Sequence, residues 1–362
     1  MEQKNGYFNY SDYNLAIEPG LVRLWTYQDI ARGANGVMYY RWRSNRYSWE
    51  QNPNGLLLHD GTPRRALSEV GRLTKELDAF GAELAATRVE APVAILYSYD
   101  VEWSFEAHKQ YRHADYREQI LSYYRALLRM GVTTDLVDPF RDLTPYEVVI
   151  APSLTMIDKR IAQNLESYVK QGGCLILTGR SGIKDWANVT IDQPWPGLLR
   201  ELAGVEVEEF EVLPPRLTNG IRIDGREFRV TGWLDILRTS SAEPVAAYTE
   251  KFYAGKTAIA RNRFGRGLVY YVGVMGAIDL VRAVLEQVGK ETGRLRDAGL
   301  PDGVFVSRRV KEGVAYTFYV NFTHETKQVS LVEDGIDVFT GRAVAGEAEV
   351  AGLDVLIVRS SR

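Results

Sequence analysis

Val148-Val149-Ile150-Ala151 and, one helix-length later, Gly172-Gly173-Cys174-Leu175-Ile176-Leu177-Thr178-Gly179 are the stretches that decide the fold. Each apolar run is strand-sized, and neither alternates with polar residues, the pattern of a strand buried on both faces. A helix is predicted between them near Asp158–Gln171, stopped by the glycine pair. The same alternation extends in both directions. Towards the N-terminus lie the strand Val93–Tyr97, a helix near Asp115–Met130 carrying Ile120, Leu121, Tyr124, Leu127 and Leu128, and the strand Thr134–Val137. Towards the C-terminus the pattern returns with strand Leu268–Val272 and helix Ile278–Glu291. Strands alternating with amphipathic helices imply a mostly parallel sheet covered on both faces. The stretch Glu206–Arg263 breaks the alternation and reads as antiparallel strands inserted in that domain, with turns expected at Asn219-Gly220 and Asp224-Gly225.

The flanks read differently. Pro19 and Gly33 bracket a helix whose inner face is expected to hold Leu21, Leu24, Trp25 and Gln28. Val37–Tyr40 follows as a short buried strand, then a polar aromatic loop over Ser44–Pro63. A long helix next carries Ala66, Val70, Leu73, Leu77, Phe80 and Leu84 in one apolar stripe. Beyond Pro301 only short strands separated by turn residues remain, among them Val304–Arg308, Ala315–Asn321 and Val355–Val358, the signature of a small antiparallel β-sandwich. The division expected is therefore 1–90, 91–298 and 299–362.

Composition narrows the function. The 362 residues carry 44 Lys plus Arg against 47 Asp plus Glu, a net charge of −3, which argues against nucleic acid or an anionic membrane as the main partner. No apolar run approaches the ~20 residues of a membrane span, so the chain reads as cytoplasmic. A single cysteine, Cys174, excludes a disulfide framework and a multi-cysteine zinc site, and no metal or cofactor is expected.

Cys174 opens a strand instead of occupying a strand-to-helix elbow, and His59, His108, His113 and His324 show no spacing that would supply its base; it reads as a buried structural thiol. Gly179-Arg180-Ser181-Gly182 lacks the spacing of a phosphate-binding loop and reads as a turn. The front of the chain is richer, with Glu2-Gln3, Tyr7–Tyr10, Trp25, Tyr40-Arg41-Trp42-Arg43 and Glu50-Gln51. Sugar sites combine aromatic faces for CH surfaces with carboxylates and guanidinium groups for hydroxyls. Taken singly, Glu2 reads equally well as a terminal residue and Glu50 as a solvated loop acid.

The ordered set Met-Glu-Gln, an Asn with an aromatic, Pro19-Gly20-Leu21-Val22-Arg23-Leu24-Trp25, Ala31-Arg32-Gly33-Ala34, Arg41-Trp42-Arg43, Glu50-Gln51 and Leu57–Arg64 resembles glycoside hydrolase family 42, the β-galactosidases. The resemblance continues through Tyr146–Pro152, Gly172–Gly182 and Asn321-Phe322. It implies an α/β chain in three parts. These are the end of a (β/α)8 barrel, a flavodoxin- or class I glutamine amidotransferase-like trimerisation domain, and a C-terminal β-domain. It implies retaining chemistry, with Glu2 at the nucleophile position, Tyr10 where the family has a Trp that packs on the sugar, and Glu50 at the acid that binds galactose hydroxyls. Pro53 stands where the family commonly has a His. The family's acid/base follows an Asn, and no Asn-Glu dipeptide occurs in these residues. The expectation is a C-terminal portion of a β-galactosidase, inactive alone, forming homotrimers on β-D-galactosides and completed by an N-terminal barrel fragment in trans. A non-catalytic assembly module left from such an enzyme is the alternative. Two barrel strands cannot close on themselves, so Trp25, Trp42 and the apolar face of helix 64–86 are expected to be exposed.

Overall fold

The computed structural model describes residues 2–7, 12–52, 54–109, 111–275 and 278–361. Two units emerge, one built from 1–90 together with 298–362 and the other from 91–297.

The first unit begins with β1 (Glu2–Lys4), α1 (Leu21–Ala31), β2 (Met38–Tyr40), α2 (Arg65–Ala85) and β3 (Arg88–Val89). β1 and β2 pair in parallel, with Glu2 opposite Met38 and Lys4 opposite Tyr40, as two successive βα units of a barrel would. β2 is not the buried strand expected: Met38 is 65% exposed, because among the described residues the pair has no further strand beside it. Gly20 precedes α1 at φ 94°, a conformation open to glycine. The helix buries Val22, Leu24, Thr26, Tyr27, Ile30 and Ala31, not the Leu21-Leu24-Trp25-Gln28 stripe expected. It is covered from two directions. Val22 packs with Leu56 and Ala66 beside Tyr39, whereas Leu24, Tyr27, Ile30 and Ala31 face another layer.

The second unit runs β4 (Val93–Leu96), α3 (Tyr99–Ala107), α4 (Tyr116–Arg129), β5 (Thr134–Val137), β6 (Val148–Ala151), α5 (Lys159–Lys170), β7 (Cys174–Thr178) and α6 (Arg200–Ala203). It continues with β8 (Val205–Leu213), β9 (Asn219–Ile223), β10 (Arg226–Val230), β11 (Gly232–Thr239), β12 (Glu243–Tyr248), β13 (Thr257–Phe264), β14 (Gly267–Val272) and α7 (Ile278–Thr292). The strands β14-β7-β6-β4-β5 form a parallel run in the doubly wound order. Every residue of β4, β6 and β7 is buried, which is why these strands read as unbroken apolar runs. Ser98, Asp115 and Asp158 cap α3, α4 and α5 by accepting from the amides of Val101, Glu118 and Ile161.

The antiparallel strands predicted over Glu206–Arg263 are present, and they continue the same sheet outward from β14, giving eleven strands among the described residues. Asp224-Gly225 forms the β9–β10 turn, with φ of 52° and 78°. Asn219-Gly220 is not a turn but the start of β9, paired with Val230 and Arg229. A Cβ on Gly220 would lie 2.1 Å from the Thr249 hydroxyl oxygen, and Asn219 Oδ1 accepts from the Glu250 amide at 3.2 Å. Close packing and a side-chain clasp, not reversal of the chain, account for this pair.

The C-terminal segment returns to the first unit as β15 (Val304–Lys311), β16 (Val314–Asn321), β17 (Lys327–Ser330), β18 (Gly335–Asp337), β19 (Ala343–Val344), β20 (Glu347–Val350) and β21 (Asp354–Ser361). The antiparallel sheet expected here has the order β19-β18-β21-β16-β15-β3, and β17 pairs with β20 as a ribbon. Period-2 alternation sorts its faces. Tyr319, Leu356 and Val358 point to a core with Val329 and Val350 of the ribbon. Tyr316, Phe318, Val320, Val355 and Ile357 point the other way, onto Leu24, Tyr27 and Ile30 of α1 and Leu73, Phe80 and Leu84 of α2. This contact corrects the expectation of an exposed α2 stripe, since the C-terminal sheet covers it. Trp42 does stay open, at 62% exposure.

Arg309 locks the arrangement. Fully buried on β15, it donates to the carbonyls of Ile30 and Ala34 at the end of α1, to those of Leu84 and Thr87 at the end of α2, and to Thr87 Oγ1 and Asn35 Oδ1. A cation at the carboxyl ends of two helices also complements their dipoles. Arg23 on α1 makes a second tie, pairing with Glu76 of α2 and Asp354 of β21 while its guanidinium lies 4.8 Å from the Phe339 ring centre.

Candidate active site

The parallel β1–β2 pair sets Glu2 beside Met38, the first residue of β2, with Tyr40 two residues further along. Glu2 is exposed at the first residue of β1. Tyr40 closes β2, and the chain then enters the Ser44–Pro63 loop, which carries Glu50. The Tyr40 hydroxyl donates to Glu50 Oε2 at 2.5 Å, and Arg41 Nη1 reaches the same oxygen at 3.1 Å and the phenol oxygen at 3.3 Å. The Glu50 side chain is about three-quarters covered. The hydrogen bond to Glu50 raises the Tyr40 pKa above its ordinary value, with burial and the negative charges of Glu50 and Glu2 adding to it and Arg41 opposing.

Backbone and side-chain contacts fix the loop. Leu56 and Leu57 amides donate to the carbonyls of Arg41 and Trp42, Ser44 Oγ bridges the Leu57 carbonyl and the Gly55 amide, and Arg64 Nη1 donates to the Gly55 carbonyl at 2.9 Å. Gly55 has no room for a side chain, since a Cβ would lie 2.5 Å from the Ser44 nitrogen. Arg43 holds the His59 carbonyl.

Of the residues expected at the site, the structure holds Glu50 against Tyr40 and Arg41 and places Glu2 on the neighbouring strand, opposite Met38. Tyr10 and Pro53 lie outside the described residues. Tyr40 is the residue that reading of the sequence missed in this role; its signal was a tyrosine at a strand end beside Arg41, ten residues before Glu50. Elsewhere, Cys174 is buried, and burial pushes its thiol up to about 12, the opposite of an activated nucleophile. In the turn after β7, Arg180 is buried, with its guanidinium 4.2 Å from the Phe105 ring centre and 5.0 Å from that of Trp233. A Cβ on Gly182 would meet the Pro196 carbonyl oxygen at 2.4 Å, so side chains and backbone fill the space a phosphate would need. Among the described residues no three His, Cys, Asp or Glu side chains gather to hold a metal, and no helix is long and apolar enough to cross a membrane.

Residues 91–295 match the β-galactosidase trimerisation domain, residues 1–80 the β-galactosidase domain and residues 303–360 the β-galactosidase C-terminal domain of the same family. The chain belongs to glycoside hydrolase family 42. Family relatives include a β-galactosidase of a Geobacillus species, 33% identical over 99% of this chain and 54% of its own length, and one of Haloferax lucentense, 32% identical over 98% and 52%. Among solved structures, the β-galactosidase from Bacillus circulans sp. alkalophilus superposes with a TM-score of 0.95 at 31% identity, covering all of this chain and 55% of the other. The chain thus spans about half the length of the family 42 relatives it matches.

Proposed function

We propose that the chain works as the C-terminal portion of a retaining enzyme that hydrolyses terminal β-D-galactosides, with Glu2 as nucleophile and Tyr10 and Glu50 contacting the galactosyl ring. The observation that supports this reading is the fixing of Glu50 by Tyr40 and Arg41 at the end of β2, the strand that pairs with the one bearing Glu2. Retention needs a carboxylate that attacks the anomeric carbon and a second carboxylic acid ~5–5.5 Å away that protonates the leaving group and then activates water. Glu2 is exposed and able to attack. Glu50 is engaged by Tyr40 and Arg41, which suits a fixed acceptor for sugar hydroxyls better than a proton shuttle. The acid/base is left to a glutamate outside these residues, following an Asn in the family pattern. Segment 91–298 assembles homotrimers in this reading, 1–90 contributes the site and 299–362 braces it; no cofactor takes part.

The test mixes the chain with the portion of the Geobacillus relative that it does not match and follows a chromogenic β-galactoside. The chain alone gives no turnover, because general acid catalysis is worth ~10²–10⁴-fold and its acid is not here. The mixture turns over, Glu2→Gln abolishes that turnover, and azide restores it in Glu2→Ala with an α-galactosyl azide as product. Turnover that survives Glu2→Gln overturns the assignment. A trimer that no added portion activates favours the assembly-module reading.

A further inference from the structure

The chain holds four Asn-Gly pairs: Asn5-Gly6, Asn35-Gly36, Asn54-Gly55 and Asn219-Gly220. A glycine that follows an asparagine offers the side-chain amide a backbone nitrogen unshielded by a Cβ, on a main chain free to fold towards it. In three of the pairs both residues are buried. A Cβ on Gly6 would lie 2.8 Å from the Asn54 Cα, the Gly55 amide donates to Ser44 Oγ at 3.2 Å, and Asn219-Gly220 is paired within β9. Asn35-Gly36, between the end of α1 and β2, is exposed at both positions, and a Cβ on Gly36 would meet nothing within 4 Å. A cavity of about 260 Å³ opens beside it, lined by Gly36, Val37, Leu77 and Gly81 among others. The exposed pair is also the one whose amide oxygen meets a cation. Arg309 Nη2 donates to Asn35 Oδ1 at 2.8 Å, and the other acceptors of this buried guanidinium are carbonyl and hydroxyl oxygens. Among the described residues no carboxylate reaches it.

We propose that Asn35-Gly36 is a self-modification site, at which the folded chain converts a neutral ligand of Arg309 into a carboxylate. The Gly36 nitrogen bonds to Asn35 Cγ, the Cγ–Nδ2 bond breaks, and ammonia leaves with the proton that the Gly36 amide gives up. Water then opens the cyclic imide. Opening at Cγ leaves an aspartate, and opening at the backbone carbonyl of residue 35 leaves an isoaspartate. One water is consumed and one ammonia released, without an oxidant or a cofactor. Arg309 assists because negative charge builds on Oδ1 as Cγ is attacked, and that is the oxygen it already holds. In the aspartate product the same contact becomes a charge-assisted hydrogen bond, about twice as strong as a neutral one. Isoaspartate instead routes the main chain through the side-chain methylene and lengthens the link from α1 to β2.

Incubating the folded 362-residue chain at mildly alkaline pH in heavy-oxygen water, followed by peptide mapping, reads the site. Label is expected at residue 35 at or above the rate seen in the urea-unfolded chain. The three buried pairs should react about a hundredfold or more slower than they do unfolded, since each must first open locally. Gly36→Ala, which the open space accommodates, should slow the reaction about tenfold or more. Residue 35 protected as fully as the buried pairs, or a Gly36→Ala chain that reacts as fast as its parent, overturns the site. Asn35→Asp reads the product directly. It should raise the melting temperature of the first unit by about 2–5 °C at neutral pH. A carboxylate paired only in the folded state loses that gain as the pH falls below about 4. No gain at neutral pH overturns the pairing with Arg309.

Discussion

Replacing Arg309 by methionine should unfasten the strand pair that carries Glu2 from the sheet that braces it. The guanidinium holds carbonyls at the ends of both α1 and α2, across a chain separation of more than two hundred residues. Hydrogen bonds to a charged donor are worth ~1.5–3 kcal/mol each net, and their loss is only partly recovered by no longer burying a cation. Two acceptors keep other donors, since the Gly33 amide still reaches the Ile30 carbonyl and the Thr87 amide the Leu84 carbonyl. Methionine fills most of the vacated volume, so little is added for a cavity. The net cost is about 3–5 kcal/mol, because the acceptors left without a donor lose ~1–3 kcal/mol each. In a unit of roughly 150 residues that lowers the melting temperature by about 6–20 °C. Calorimetry of the chain, with hydrogen exchange at 27–31 and 80–85 to assign the transition, reads the effect. The unit over 91–297 should melt unchanged and serves as the internal reference. Arg309→Lys should recover less than half, because one ammonium cannot span two helix ends. A melting temperature within ~1 °C of the parent in Arg309→Met would falsify the clamp.

Asp235 is buried, accepting from Trp233 Nε1 at 2.6 Å and the Tyr271 hydroxyl at 3.0 Å, and burial raises its pKa to about 6. An acid raised in the folded state holds its proton where the unfolded chain has lost it, so its contribution to stability falls as pH rises from about 4 to 6 and stays low above. The wild-type minus Asp235→Asn difference in unfolding free energy should therefore change by about 2–3 kcal/mol between pH 4 and 7; a flat difference refutes the shift. Amides of 38–40 should exchange orders of magnitude faster than those of 148–151, because among the described residues β2 pairs on one side only, whereas β6 lies between β4 and β7; equal protection would show that β2 has another partner. Cys174 should resist thiol reagents in the native state and react at the rate of unfolding of its unit; prompt labelling of folded chain contradicts its burial.

The sequence is legible where one physical constraint dominates a short stretch. Val148–Ala151 and Cys174–Thr178 are strands with the bounds read from the residues, because burial on both faces demands an unbroken apolar run. α3 escaped because its buried set mixes Val101 and Phe105 with Glu102 and Ser104, so no apolar stripe marks it; Glu102 is tolerated inside by pairing with Arg117 and Tyr97. The inner face of α1 was misjudged for the opposite reason, as two separate cores claim two sides of one helix. At the site, Glu2 and Glu50 are recognisable through an ordered set of family motifs and not through their own neighbourhoods. Tyr40 could be assigned only once Glu50 was seen to fold back onto it, a contact set by loop geometry that no local pattern encodes.

What sequence reasoning could least anticipate is the means by which β1 and β2 are supported. A lone parallel pair of three-residue strands is too small to hold its own geometry. Its helices lie between two layers: Val22 of α1 and Ala66 of α2 pack towards the strands and the Leu56 loop, while Leu24, Tyr27, Leu73, Phe80 and Leu84 pack onto the C-terminal sheet. The sheet, in turn, takes its edge strand β3 from the residues that follow α2, so neither partner completes its layer without the other. Arg309 and Arg23 then fix the helices along their length, one at the carboxyl ends and the other towards the start of α1. The geometry of Glu2, Tyr40 and Glu50 is consequently transmitted from residues three hundred positions away. A substitution on β15 or β21 that loosens these ties should disturb the site without touching it, and should do so before it unfolds the sheet that carries it.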